Sequence, residues 1–141
     1  MKMKVIEVAT QEEFDSLPNS FEEKTEIHIL KSTAVSVKGD KENGFVQAHD
    51  GSVVNAHAGS SVKALDGSYM FAYEGSSVEA YRGSDVSAFR GSSAKAYKGS
   101  IVYAYGGSVV EAHNGSIVYA FEGSSVKAYK GSDVRHFNLP D

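Results

Sequence analysis

The sequence predicts an all-β protein: a two-sheet parallel β-solenoid with sixteen-residue coils, two octads to each coil, and a small N-terminal αβ cap. Three observations predict it. Gly-Ser pairs begin at Gly51, Gly59, Gly67, Gly75, Gly83, Gly91, Gly99, Gly107, Gly115, Gly123 and Gly131, a spacing of eight that never slips. Between the pairs the pattern is Gly-Ser-x-Val-x-Ala-aromatic-x, as in Gly75 to Arg82, and Asn43-Gly44 opens an earlier, degenerate copy. Sorting alternate octads then resolves the fifth position into two unlike series. One reads Gln47, Lys63, Glu79, Lys95, Glu111, Lys127; the other reads Asn55, Phe71, Ser87, Tyr103, Tyr119, Arg135. Sorting by threes produces no such order, so like side chains recur every second octad.

The chain divides into residues 1–30, a strand–helix–strand cap, and residues 31–141, the solenoid. In the cap, Val5-Ile6-Glu7-Val8 reads as a short strand. Thr10 with Glu13 three residues later is a capping-box signature for a short helix holding Phe14 and Leu17. Pro18-Asn19 stops that helix, and Glu26-Ile27-His28-Ile29 alternates like a second strand. Such a cap covers the first coil and hides its open backbone edge. Residues 31–38 form an imperfect repeat, followed by a polar turn at Gly39-Asp40-Lys41-Glu42.

Within each octad, strand alternation places the fourth and sixth positions on one face and the third, fifth and seventh on the other. The fourth and sixth point inward, because the fifth carries Lys63, Glu79, Lys95, Glu111 and Lys127, which a thin core cannot hold. The inward residues, mostly Val and Ala, are small and imply two closely packed sheets. Gly-Ser makes each turn, glycine supplying angles other residues resist. Twelve octads give six coils, a slab on the order of 30 Å long at about 4.8 Å per strand, of either hand.

Stacked one coil apart, Lys63, Glu79, Lys95, Glu111 and Lys127 form a ladder of alternating sign that disfavours a slipped register. The opposite wall carries Val53, Tyr69, Phe71, Ile101, Tyr103, Ile117 and Tyr119 outward. Exposed apolar surface of this kind marks a contact site, and these seven residues are the candidate partner-binding set. The expected partner is a second copy, in a homodimer through this face, or a host protein. Asp85 and Ser87 interrupt the patch, and Asp133 with Arg135 ends it. The seventh position supplies two further rows near the corners: His49, Leu65, Tyr81, Tyr97, His113 and Tyr129, and His57, Tyr73, Phe89, Tyr105, Phe121 and Phe137. Stacking is their expected role, with a carbohydrate or protein contact as the alternative. A second candidate contact is the C-terminal end, where His136 replaces an inward Ala and Leu139-Pro140 stands against further strand addition.

Catalytic chemistry is not expected, and neither is a cofactor or a metal. The five histidines are dispersed, with His49 and His57 on opposite walls, so they cannot converge on one ion. There is no nucleophile elbow and no phosphate loop. Cysteine is absent, which suits a reducing compartment. Net charge is −4, yet residues 43–141 hold eight Lys/Arg against nine Asp/Glu, so the repeats lack a nucleic-acid footprint. The start, Met1-Lys2-Met3-Lys4-Val5-Ile6-Glu7, has no signal-peptide core, and no run has membrane-spanning length. The expected location is the cytoplasm.

The octads carry two resemblances. Ala80-Tyr81-Arg82-Gly83-Ser84 and Ala104-Tyr105-Gly106-Gly107-Ser108 resemble the octads of bacterial ice-nucleation proteins, a flat β-solenoid family. That resemblance implies ice binding as one alternative function; glycan binding is another, suggested by the aromatic rows rather than by the resemblance. Val78-Glu79-Ala80-Tyr81 and Val126-Lys127-Ala128-Tyr129 are similar to octapeptide-repeat β-solenoid proteins of bacteriophages and other mobile elements. This second resemblance implies a non-enzymatic interaction protein, such as an inhibitor of a bacterial defence complex of the anti-CRISPR kind.

Overall fold

A computed structural model describes residues 4–30, 34–39 and 41–137. Its elements run β1 (Lys4–Val8), α1 (Gln11–Asp15), β2 (Ser20–Ile29), β3 (Ala34–Val37) and β4 (Glu42–Ala48), then one strand per octad. These are β5 (Val53–Ala56), β6 (Ser61–Ala64), β7 (Tyr69–Ala72), β8 (Ser77–Ala80), β9 (Asp85–Ala88) and β10 (Ser93–Ala96). The last are β11 (Ile101–Ala104), β12 (Val109–Ala112), β13 (Ile117–Phe121), β14 (Ser125–Ala128) and β15 (Asp133–Phe137). Sheet A has the order β1-β2-β4-β6-β8-β10-β12-β14, and sheet B the order β3-β5-β7-β9-β11-β13-β15. Neighbours are parallel throughout. The fold is a two-sheet parallel β-solenoid, and its register is the one the alternate octads demand: Lys63 pairs with Glu79, and Ile101 with Ile117.

The turns show why the octad has its form. At the Tyr73–Ser76 turn, the Ser76 N–H donates to the Tyr73 carbonyl at 3.0 Å, while Gly75 sits at φ 82°. That is the geometry of a type II turn, whose third residue must accept a positive φ. The Ser76 hydroxyl donates to the same carbonyl at 2.6 Å. The second octad position is therefore an inward one: Ser52 through Ser116 are at most 2 % exposed. Each hydroxyl is buried without loss because its own turn satisfies it. Three inward positions per octad, Ser, Val and Ala, line the core, joined by Met70, Ile27 and Ile29.

The solenoid has about seven turns rather than six, β2 with β3 through β14 with β15. The extra turn comes from the N-terminal segment. In β2, Ile27 and Ile29 lie in the columns of Val46 and Ala48, and β1 continues them with Ile6 and Val8. Residues 34–37 enter sheet B as β3, with Val35 beside Val54 and Val37 beside Ala56. The helix follows its sequence signals. Thr10 caps it, its hydroxyl accepting from the Glu13 N–H at 3.0 Å, and Phe14 is buried.

α1 lies beside β3, the edge strand of sheet B, and one side chain replaces a missing strand. The Gln11 carboxamide accepts from the Ser36 N–H at 2.7 Å and donates to the Ser36 carbonyl at 3.0 Å. It thus offers a strand edge the same donor–acceptor pair that a peptide group would. Gln11→Ala leaves both Ser36 groups unmet and is expected to cost about 1–3 kcal/mol. Urea unfolding measures this, and an unchanged midpoint would show that water serves Ser36 equally well.

Candidate functional site

The outer face of sheet B is built from the third, fifth and seventh positions of alternate octads. Ile101 and Ile117 are direct cross-strand partners, as are Tyr103 and Tyr119. The two tyrosine rings stack at 5.1 Å. Parallel in-register pairing makes this inevitable, since equal octad positions on adjacent coils share one column. All four side chains are half-buried against each other. Val53 and Tyr69 are likewise partners, with Phe71 in the column next to them, and Tyr69 is 50 % exposed. Asp85 separates Tyr69 from Ile101, and Ser87 separates Phe71 from Tyr103. The seven residues therefore share one wall in two groups.

The seventh-position row joins those groups. His57, Tyr73, Phe89, Tyr105 and Phe121 stack in sequence with centroids 5.0–5.3 Å apart and planes within 12°. Phe71 reaches Phe89 at 6.4 Å, and Tyr119 reaches Phe137 at 6.0 Å. An aromatic surface thus runs past the Asp85–Ser87 gap along one flank. Sequence reasoning gave this row stacking as its expected role, with a carbohydrate or protein contact as the alternative. Adjacency of the fifth and seventh positions on one face was the available signal. At the C-terminal end Arg135 holds Asp133 at 3.1 Å and lies over the Tyr119 ring at 5.7 Å.

Sheet A presents a different surface. Its fifth-position column alternates in sign, with Lys95 and Glu111 4.0 Å apart. Several of these charges also engage the aromatic row beside them. The Tyr81 hydroxyl donates to Glu79 at 3.3 Å, and Lys127 lies over the Tyr129 ring at 5.1 Å. Burial pushes the Tyr81 phenol above its ordinary range, and the neighbouring Glu79 carboxylate adds to the effect. A groove of about 540 Å³ follows the coil axis over Ser61, Ser77 and Ser93, with Lys63 and Lys95 alongside and Phe45 at one end.

At the N-terminal end of sheet A, His28 and His49 rings lie 4.4 Å apart, and His28 meets Glu26 at 2.9 Å. Burial, then the His28 charge, lowers the basicity of His49, whose Nε2 has no hydrogen-bond partner among the described residues. His49 and His57 stand on opposite sheets. No group of three metal-ligating side chains gathers among the described residues. Nor is any helix there long and apolar enough to cross a membrane. His136 occupies an inward column beside Ala120 and is exposed in the last coil. Leu139 and Pro140 lie outside the described residues. Comparison with protein families, curated proteins and solved structures finds no match to this chain.

Proposed function

We propose that this chain is a non-enzymatic interaction protein that binds a protein partner, or a second copy of itself, through the outer face of sheet B. One contrast carries the reading. The fifth position alternates Lys and Glu on sheet A, yet the same position on the other wall holds Phe71, Tyr103 and Tyr119. The charged wall demonstrates that the octad folds with charged residues at this outward position. Apolar residues at the fifth position of one wall only are thus a departure that the scaffold does not require, and burying them against a partner releases the associated water. The similarity to octapeptide-repeat phage proteins supports a partner of the host-defence kind, with the solenoid as an inhibitor that occupies its surface.

Tyr103→Lys combined with Tyr119→Lys tests the reading. The double variant is expected to lose the partner captured from bacterial lysate, or the sheet-face dimer, while retaining its β circular dichroism and melting within a few degrees of the parent. Sheet A accepts a lysine at this octad position, as at Lys95 between Glu79 and Glu111; here the two lysines are cross-strand neighbours beside Arg135, so the melt is run in salt that screens them. Undiminished capture by a folded double variant would move the contact away from this face.

A further inference from the structure

We propose that the Asp85–Ser87 interval on the outer face of sheet B is a guanidinium slot, and that the partner enters it with an arginine side chain. The inference rests on that face being the contact surface, and it names what the contact recognises. The fifth-position column there is an aromatic ladder with one rung missing. Phe71, Ser87, Tyr103 and Tyr119 follow one another on adjacent coils, and of these only Ser87 lacks a ring. Tyr103 and Tyr119 stack at 5.1 Å. Phe71 and Tyr103 lie two strand separations apart, about 9.6 Å. A planar group standing over Ser87 therefore lies about 4.8 Å from each ring, close to the spacing of the filled part of the ladder. Phe89, two residues beyond Ser87 on the same face, closes one side, its ring 6.4 Å from Phe71 and 12° from the Phe71 plane.

Charge decides which planar group fits. Asp85 faces outward two residues before Ser87, in the column between Tyr69 and Ile101. It is half-buried, and among the described residues its carboxylate has neither an ion pair nor a hydrogen bond. A carboxylate among apolar neighbours without a counter-ion favours the arrival of a cation.

The last coil holds the same arrangement filled. Asp133 and Arg135 stand at the third and fifth positions of β15, the places that Asp85 and Ser87 take in β9. The Arg135 guanidinium donates to the Asp133 carboxylate at 3.1 Å and lies over the Tyr119 ring at 5.7 Å. One wall thus carries an aspartate–arginine–tyrosine set that is complete at β15 and lacks only its arginine at β9. A guanidinium suits the place because it is flat, stacks on ring faces and presents a fork of donors to a carboxylate, whereas an ammonium matches the charge alone.

A second copy of this chain is a poor source of that arginine. Arg135, the arginine among the outward strand positions of this face, is already held by Asp133. A two-fold axis that superposes the two apolar groups runs along β9 and sets the two Asp85 carboxylates against each other. The occupant is therefore a different protein, with apolar residues around its arginine to meet Tyr69, Ile101 and Tyr103.

Titration of the folded protein with an acetylated, amidated Ile-Arg-Ile tripeptide, followed by amide and aromatic NMR shifts, tests this. Saturable shifts at Asp85, Ser87, Phe71 and Tyr103 are expected, and binding weakens with added salt. Citrulline in place of the arginine keeps the shape and loses the charge, and is expected to bind about tenfold more weakly. Asp85→Asn is expected to weaken the arginine peptide by a similar factor. Ser87→Arg builds the β15 arrangement into β9, and is expected to abolish binding while melting no lower than the parent. Should that variant fail to fold, Asp85→Asn carries the test. No saturable shift with the arginine peptide, equal binding of a citrulline- or phenylalanine-centred peptide, or undiminished binding by either folded variant would each overturn the slot. Partner capture lost in the Tyr103→Lys, Tyr119→Lys variant yet kept by Asp85→Asn and Ser87→Arg would overturn it too, and leave the face itself standing as the contact.

Discussion

Ala104→Leu is expected to destabilise the fold by about 3 kcal/mol, the upper end for an overpacked core, while Ala128→Leu stays within about 0.5 kcal/mol. Both residues occupy the sixth octad position, so propensity and turn chemistry are identical for the two. Their surroundings differ. Ala104 is fully buried, with Ala88 and Ala120 directly beside it in the column. Three extra carbons there have no free volume along the coil axis, because adjacent coils are fixed by backbone hydrogen bonds such as Tyr105 N–H to the Ala88 carbonyl at 2.9 Å. They must instead push against the opposite wall, which is held by its own coil-to-coil bonds. Ala128 is in the last coil and exposed, so a leucine there extends into solvent or covers Val126. Urea midpoints of the two variants provide the measurement. Equal losses would mean that the core is not the tight slab described here.

The contrast also explains what the sequence made legible. Inward and outward positions were separable because Lys63, Glu79 and Lys95 cannot face a thin core, and that one constraint orients every strand. Coil length followed from which residue types recur, since Tyr103 and Tyr119 match while Glu111 between them belongs to another wall. The same reasoning placed Val53, Tyr69, Phe71, Ile101, Tyr103, Ile117 and Tyr119 on one surface.

Three features escaped it for physical reasons. The second-position serines read as turn residues, because a hydroxyl's inward direction depends on a bond to the carbonyl three residues back, as Ser100 makes to Tyr97 at 2.6 Å. Composition carries no record of that. The Thr25–Ile29 stretch read as part of a cap because it lacks Gly-Ser, yet Thr25, Ile27 and Ile29 fill the inward positions of a full coil. The Gln11 contact with Ser36 joins residues far apart in sequence and has no local pattern at all.

Gly99→Ala is expected to cost more than Gly39→Ala, roughly 2–3 kcal/mol against about 1 kcal/mol, because only the first adds crowding to strain. Both glycines have left-handed angles, φ 83° at Gly99 and φ 70° at Gly39. An L side chain at either pays the conformational penalty. The space around them differs. A Cβ on Gly39 meets nothing within 4 Å, whereas one on Gly99 lies 2.8 Å from Arg82 Cγ and 3.1 Å from Arg82 Cα. The arginine side chain can swing aside, but its Cα belongs to the preceding coil. Moving it strains the bonds that tie the corners together, Gly83 N–H to the Gly99 carbonyl at 2.9 Å and Gly99 N–H to the Gly115 carbonyl at 3.0 Å. The repeat therefore needs glycine at the corner for two separable reasons, backbone angle and coil spacing. Arg82→Gly in the Gly99→Ala background removes the side-chain part of the clash and is expected to recover only a fraction of the loss. Full recovery would assign the cost to the arginine chain rather than to the distance between coils, and equal losses at Gly99 and Gly39 would leave strain as the sole cause.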